Sequence, residues 1–484
     1  MMYDTSTDHI DHIDHIVLGA QRAATQWSSR TRTERAAVLR AVADRLDGAA
    51  DILVPFAIRE TRLTEQRLRG ELARTTFQLR LFAETVNEGG YLDARVDHAD
   101  PDWSMGPRPD LRRTRVPYGP VVVFAASNFP FAFSVAGGDT SSALAAGCSV
   151  IVKAHPGHVE LSAATAQVVN EAFNELGAPS GLLQIVYGQE AGVVVLTHPQ
   201  VKAAAFTGSI PGGRALFDLA SSRPEPIPFY GELGSVNPVF VTASADADRG
   251  ADIAAGLVGS FTLGAGQFCT KPGVVLVPGD SHLLASLRAD ALPSAAPLLN
   301  DKITAGYLSG QQQLRRHPAV TVLAEGEDPL NDPPAPTVLS TSVQELLADP
   351  EALLAECFGP TVLIVEYIDE HQLVEVAEQL EGQLTATLVA NEDDRIVGQL
   401  TTILASKAGR LLWNQWPTGV AVTYAQQHGG PYPATTAAGT TSVGTAAIDR
   451  FTRPVAYQGF PDFLLPSELR DDADVPRRVD GKLT

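Results

Sequence analysis

Apolar positions along the chain follow helical spacing first and then a strand–helix alternation. Thr31-Arg32-Thr33-Glu34 has the form of a capping box. Behind it Val38, Leu39, Val42 and Leu46 share one helical face, and Gly48 closes the helix. A second helical stretch runs from Leu72 to Glu84 and offers Leu72, Phe77, Leu79, Leu81 and Phe82 to a core. From Val121 the rhythm changes. Short apolar runs at Val121–Phe124, Ser149–Val152, Gln184–Tyr187 and Ala203–Phe206 alternate with helical stretches, among them 135–147 and 159–176. Such alternation predicts a parallel sheet covered on both faces. The second half has the same texture. Strands are expected at 236–241, 273–277, 361–366 and 386–390, with a helix at 369–381. No internal repeat is evident.

Four stretches break this pattern. Residues 94–118 are rich in Asp, Pro and Arg and read as a loop or an excursion from the main body. The segment from about 450 carries Phe451, Val455, Tyr457, Phe460 and Phe463 and reads as an edge strand and an arm in search of a partner surface. Asp471 to Thr484 is charged and expected to fray. At the N-terminus His9, His12 and His15 recur in a His-Ile-Asp repeat. This repeat offers weak metal ligands, but a mobile surface tail is the favoured reading.

Composition narrows the class. A chain of 484 residues exceeds one ordinary core and implies two or three domains. Its apolar runs fall well short of the roughly 20 residues that cross a bilayer, and its start lacks the basic-then-apolar pattern of a signal peptide. A cytoplasmic protein without membrane partners is expected. The formal charge of −20 argues against nonspecific nucleic-acid binding. Lysine is scarce, so each lysine inside a motif draws notice. The cysteines are Cys148, Cys269 and Cys357. An odd, sparse set is no disulfide framework, and no spacing suggests a structural metal site. Cys148 and Cys357 read as packing.

Five segments carry candidate chemistry, each with a bland alternative. In Gly264-Ala265-Gly266-Gln267-Phe268-Cys269 a thiol follows a glycine-rich turn whose N–H groups can converge on one spot and stabilise an oxyanion; a small buried side chain is the alternative. Phe206-Thr207-Gly208-Ser209-Ile210-Pro211-Gly212-Gly213 follows a strand and opens a helix, a place that suits a pyrophosphate. Its Gly208 and Gly213 do not have the usual dinucleotide spacing, so an ordinary turn stays open. Lys153 stands at the carboxyl end of a parallel strand, where a lysine reaches ribose or phosphate or is simply solvated. Glu232, in Gly231-Glu232-Leu233-Gly234, is a general base or a surface acid. Asn128, in Asn128-Phe129-Pro130, is an oxyanion donor or an Asx-turn residue.

Taken together and in this order, these segments resemble the aldehyde dehydrogenase superfamily from about residue 20 to 465. Glu356-Cys357-Phe358-Gly359-Pro360 adds a further element of that pattern. Within the superfamily the chain is similar to the α-ketoglutaric semialdehyde (2,5-dioxopentanoate) dehydrogenases. The stretches that carry this are Gly70–Thr76, Phe133–Thr140, Trp416–Val420 and His428–Thr435. NADP-dependent fatty-aldehyde dehydrogenases share much of them.

The resemblance implies an α/β fold with a Rossmann-type cofactor domain (1–95 and 119–232), an α/β catalytic domain (233–449) and a β oligomerisation arm with a C-terminal tail (96–118 and 450–484). It implies a homodimer or homotetramer. It makes Cys269 the nucleophile, Asn128 with the Cys269 N–H the oxyanion hole, and Glu232 the base that activates water. Lys153, Gly208, Ser209, Gly213, Glu356 and Phe358 become the cofactor site. Relatives specific for NAD place a glutamate three residues after the lysine; here Pro156 stands there. With His155 and His158 nearby, NADP is the expected cofactor, NAD also being accepted. A carboxylate-bearing aldehyde calls for a cation, and Arg74 is the candidate, with Phe129 also lining the substrate. The rival readings are a medium-chain or fatty aldehyde dehydrogenase with an apolar tunnel, a cofactor-independent thiol hydrolase and a noncatalytic relative.

Overall fold

The computed structural model of the chain describes residues 10–484, with side chains from residue 12 onward. Three sheets organise it. The first is parallel throughout and runs Leu183–Val186, Val150–Lys153, Val121–Phe124, Ala203–Thr207, Phe229–Glu232. Alternate residues of one strand face opposite layers. Val121 and Val123 pack with Leu39, Leu72 and Leu144, whereas Val122 and Phe124 pack with Ile13, Val17 and Val195. The helices Arg32–Gly48, Glu65–Glu88, Gly138–Ala146 and Val159–Glu175 therefore cover one face, and Ile10–Ser28 and Gln189–Thr197 the other. Strand order reverses between Val121–Phe124 and Ala203–Thr207, and the crevice at such a reversal, beyond the carboxyl ends, is where open α/β sheets bind ligands. Asn128 and Gly208-Ser209 follow those two strands.

The second sheet has seven strands in the order Thr321–Glu325, Thr337–Ser342, Thr361–Tyr367, Val274–Pro278, Val239–Val241, Gln383–Val389, Ala408–Trp413. Only its first pair is antiparallel. The third sheet joins distant parts of the chain: Thr452–Gln458, Leu111–Pro117, Ala94–Asp97, Arg477–Val479 and Lys482–Leu483. The short helix Thr445–Phe451 seats Ala447, Ile448 and Phe451 in the core of the first layer, so the chain returns to that layer just before it enters the arm.

The capping box at Thr31 is present in both directions, and Val38, Leu39, Val42 and Leu46 are buried as expected. Several expectations need correction. Phe77 is 51% exposed; the helix Glu65–Glu88 turns that position away from the faces that bury Leu72, Leu79 and Phe82. Residues 94–118 are not a loop but hold two paired strands. Residues 471–484 are not frayed, because Arg477–Val479 pairs with Ala94–Val96. A small apolar cluster of Ala94, Leu465, Leu469 and Val475 and a set of charged contacts together order this arm. Asp480 accepts from the His98 N–H at 3.0 Å and from Arg108 at 2.8 Å, and Arg112 donates to the Leu469 carbonyl at 2.7 Å. The strands Thr321–Glu325 and Thr337–Ser342 escaped the hydrophobic pattern, the first being an exposed edge and the second rich in Thr and Ser. At the N-terminus His9 lies outside the described residues. His12 and His15 are exposed on a helix whose Ile13 and Ile16 are buried, so this part of the repeat is an anchored helix rather than a mobile tail.

Candidate active site

The turn ahead of Cys269 is built on left-handed backbone. Gly264, Ala265 and Gly266 have φ of 56°, 55° and 69°. At Gly266 a Cβ would stand 2.2 Å from the Gly359 carbonyl oxygen, so only glycine lets the turn meet the 356–360 segment. Asn237 holds the other side of the thiol by donating to the Cys269 and Lys271 carbonyls at 2.8 and 2.9 Å. Lys271 is buried and donates to the carbonyls of Cys357 and Thr361. These contacts lock the cysteine turn to the segment bearing Glu356 and Phe358. Cys148 and Cys357 are buried, as packing residues should be.

Cys269 is half-buried. Glu232 ends the strand Phe229–Glu232 and is almost fully buried. Its Oε1 lies 2.8 Å from His428 Nε2, and its Oε2 accepts from the Ser442 hydroxyl. Burial alone would raise its pKa; His428, Ser442 and the Cys269 thiol outweigh that and hold the carboxyl below its ordinary value. Glu232 is thus a carboxylate that accepts from both neighbours. His428 Nε2 is also 3.5 Å from Cys269 Sγ. Desolvation raises the thiol well above its usual value, and the charge of Glu232 adds to this. The resting group is a thiol with a base at hand. The residue that motif reading missed is His428. It stood in a stretch noted only for its likeness to relatives, and nothing local in His428-Gly429-Gly430 marks it as lying next to a thiol 159 positions earlier.

The Asn128 side chain sits on the cysteine turn, its amide donating to the Gln267 carbonyl at 3.1 Å. Phe129 packs edge-on against Phe133 and Phe268, at 5.4 and 5.3 Å between ring centroids. Two arginines from one face of the helix Glu65–Glu88 lie on this aromatic cluster. Arg67 covers Phe129 and Phe268 at 4.7 and 4.6 Å, and donates to the Asn128 carbonyl. Arg74 lies over Phe133 at 5.5 Å. Arg67 is paired with the buried Glu71 at 3.8 Å. Arg74 makes no hydrogen bond or ion pair among the described residues; burial lowers its pKa, and the nearby acids Glu71 and Glu232 act against that.

Across the crevice, Ser209 caps the helix Ile210–Ser221 by accepting from the Gly212 N–H. At Gly213 a Cβ would fall 2.1 Å from Leu233 Cδ2, so the first turn packs directly on the segment after Glu232. The buried Thr207 hydroxyl beside this turn has no partner among the described residues. Lys153 is half-buried at its strand end, its pKa lowered by burial and by Lys302. Burial, with His158 and the two lysines, holds His155 at about 3. It is neutral, its Nδ1 accepts from the Gly157 N–H, and so its Nε2 carries the proton. His158 is fully buried between Ser162 and the Ala126 carbonyl and does not reach the crevice, which corrects its expected part in cofactor recognition. Glu356 is exposed in the cleft, with Oε2 against the space that a Cβ of Gly234 would take. Phe358 is half-buried beyond it.

Two α/β sheets close on a cleft that holds a thiol, a buried carboxylate and a capped helix N-terminus. The chain belongs to the aldehyde dehydrogenase family, whose model matches residues 2–454. It is 46% identical over 473 residues to alpha-ketoglutaric semialdehyde dehydrogenase 2 of Azospirillum brasilense, covering 96% of this chain and 90% of that one. It is 42% identical over 484 residues to the alpha-ketoglutaric semialdehyde dehydrogenase of Acinetobacter baylyi, covering 98% and 92%. Among solved structures, NADP-dependent glyceraldehyde-3-phosphate dehydrogenase from Bacillus halodurans, complexed with NADP, superposes with a TM-score of 0.77 at 21% identity, over 93% of this chain and 91% of that one. No helix among the described residues is long and apolar enough to cross a membrane.

Proposed function

We propose that this protein oxidises 2,5-dioxopentanoate, an aldehyde bearing a distal carboxylate, to 2-oxoglutarate with NADP⁺ and also with NAD⁺. The donor set suits a dinucleotide: a capped helix N-terminus, an unpartnered Thr207 hydroxyl and a lysine at a strand end. Ser209, with Gly208 and Gly213 giving close approach, would hold the pyrophosphate. Lys153 and the Nε2–H of His155 would hold the adenosine ribose and its 2′-phosphate, and Glu356 and Phe358 the nicotinamide half. When bound, the cofactor supplies the acceptor for the hydride that leaves the substrate.

The chain's own residues do the rest. Glu232 takes the proton of Cys269, and the sulfur adds to the aldehyde carbon to give a thiohemiacetal. The Cys269 N–H and the Asn128 amide, released from Gln267, hold the oxyanion. After oxidation to the thioester, Glu232 releases the thiol's proton to solvent and takes one from water; the hydroxide adds, the C–S bond breaks, and the departing sulfur takes that proton back, leaving the acid, which ionises to the carboxylate, and the resting thiol. Arg74 binds the distal carboxylate of the substrate, while Phe129, Phe133 and Phe268 enclose its carbon chain. The exposed Phe463 and Leu464, just beyond the third sheet, are where copies of the chain would associate into a dimer or tetramer.

The observation that carries this reading is the free Arg74 guanidinium on the aromatic cluster beside Cys269; a fatty-aldehyde site has no use for it. The test is a panel of aldehydes with and without a distal carboxylate, assayed with both cofactors. We expect kcat/KM for 2,5-dioxopentanoate to exceed that for pentanal by roughly tenfold or more, about 1.4 kcal/mol. Equal or better turnover of pentanal would transfer the protein to the medium-chain class.

A further inference from the structure

Glu232, Cys269 and His428 together have a property that aldehyde oxidation does not need. A carboxylate oxygen, a thiol sulfur and an imidazole nitrogen all lie within 4.8 Å of one another. These are three ligand types that zinc prefers, and three protein ligands with a free fourth position is the usual form of an open zinc site. From this geometry we propose that the catalytic cluster is also a binding site for a soft divalent cation, Zn²⁺ foremost, and that occupancy reversibly shuts the enzyme off. The proposal rests on the assignment of Cys269 as nucleophile, since it is the blocked sulfur that stops turnover.

Distances support it. With Zn–S of about 2.3 Å and Zn–N of about 2.0–2.1 Å, a tetrahedral centre sets sulfur and nitrogen about 3.5 Å apart. Cys269 Sγ and His428 Nε2 are 3.5 Å apart. Glu232 Oε1 and His428 Nε2, now 2.8 Å apart, would open by about half an ångström to admit the metal between them. The Ser442 hydroxyl on the other carboxylate oxygen orients Glu232 as an outer partner orients a metal ligand. The half-buried cysteine leaves a way in from the cleft.

The protons balance simply. The thiol gives its proton to solvent as the S–Zn bond forms. The Nε2 proton of His428 moves to Nδ1, whose present lack of a partner leaves it open to receive it. No electron is transferred, and a chelator reverses the whole step. The bound thiolate is spent as a nucleophile and shielded from alkylating agents.

The experiment uses the full chain, first stripped with chelator, with neither cofactor nor aldehyde present. Co²⁺ is added alone and the near-ultraviolet thiolate-to-cobalt charge-transfer band is recorded; Zn²⁺ is then titrated against it. We expect one equivalent per chain, loss of the band in Cys269→Ser, and protection of Cys269 from iodoacetamide by Zn²⁺. His428→Gln and Glu232→Gln should each bind at least tenfold more weakly. A wild-type protein with no charge-transfer band and no protection overturns the site, whatever the variants do. So does equal affinity in His428→Gln. Aldehyde oxidation by the metal-free enzyme is measured in parallel. Turnover without a metal signal rejects this site alone, and a metal signal without turnover rejects the assigned activity alone.

Discussion

His428 Nε2 lies 2.8 Å from Glu232 Oε1, and with Ser442 on the other oxygen this buried carboxylate has two donors and one task. The pairing explains how a carboxylate survives in a nearly dry pocket. Hydrogen bonds from His428, Ser442 and the Cys269 thiol offset desolvation. The same charge disfavours a thiolate at Cys269. Resting enzyme is therefore poised as thiol plus carboxylate, and the proton moves only as the sulfur attacks.

Removing the charge of Glu232 should free the thiolate while it stops turnover. In Glu232→Gln we expect Cys269 in the cofactor-free enzyme to react roughly threefold or more faster with iodoacetamide at pH 8, because the thiolate is the reactive form. Hydrolysis of the thioester should fall by orders of magnitude, since no base is left to activate water. Alkylation rates across pH, with single-turnover kinetics, measure both. A slower alkylation in the variant would show that Glu232 activates the resting thiol instead of suppressing its ionisation.

Ser442→Ala removes one donor from Glu232 and should raise its pKa. Activity requires the carboxylate, so it is lost as pH falls through that pKa, and a raised pKa moves the acid limb of the kcat profile to higher pH. A charge-assisted hydrogen bond of about 1.5–3 kcal/mol corresponds to a displacement of roughly one to two pH units. An unmoved acid limb would mean that another group sets it.

The helix N-terminus beyond Ala203–Thr207 gives a third prediction. In Gly213→Ala the new methyl meets Leu233, so the first turn that carries Ser209 must shift. Both nicotinamide cofactors should then bind roughly tenfold more weakly, as a displaced pyrophosphate site affects them alike. Quenching of intrinsic fluorescence on titration with each cofactor reads this directly. A loss confined to one cofactor would place the pyrophosphate elsewhere.

Much of this is legible in the sequence. Buried parallel strands announce themselves as apolar runs, so Val121–Phe124 and Val150–Lys153 were plain. Thr31 and Glu34 marked a helix start because capping is local chemistry. Cys269, Glu232 and Asn128 each have a bland local alternative and stand out only through the joint resemblance of their segments to the family pattern. What stayed hidden depends on contacts across long stretches of chain. The strand Arg477–Val479 has no hydrophobic signal and is defined by its pairing with Ala94–Val96. Arg67 looks like any helix arginine, and Arg74, the candidate for the substrate's carboxylate, is not told apart from a surface ion pair until the helix is set against Phe129, Phe133 and Phe268. His428 belongs to a loop whose proximity to Cys269 arises only when both layers close. Charges and imidazoles carry no periodicity, so their partners are settled by tertiary structure alone.

Arg74 should act on the substrate's far end and not on the chemistry. Arg74→Ala is expected to lower kcat/KM for 2,5-dioxopentanoate by roughly tenfold to a hundredfold, chiefly through KM, in line with about 1.5–3 kcal/mol for a hydrogen bond to a charged group. Turnover of pentanal should change little. Equal losses on both substrates would make Arg74 a packing residue over Phe133.

The adenosine end makes the last prediction, and it turns on Pro156. A 2′-phosphate needs cations and no nearby carboxylate. His155 is neutral here, so it offers a hydrogen bond but no charge, and Lys153 is the cation at the strand end. The proposed preference for NADP⁺ would then come largely from what is missing at Pro156, not from the histidines. Pro156→Glu should bring a carboxylate to the 2′ position, repel the phosphate and accept a 2′-hydroxyl, and so shift the NADP⁺ to NAD⁺ ratio of kcat/KM toward NAD⁺ by roughly tenfold or more. His155→Ala should weaken both cofactors modestly and leave their ratio within a few-fold, and in the unaltered protein that ratio should not rise as pH falls from about 8 to 6, where an ordinary histidine would gain its charge. Should the ratio instead rise steeply as pH falls through that range, His155 is charged in the working enzyme and the burial that holds it neutral is relieved when the cofactor binds.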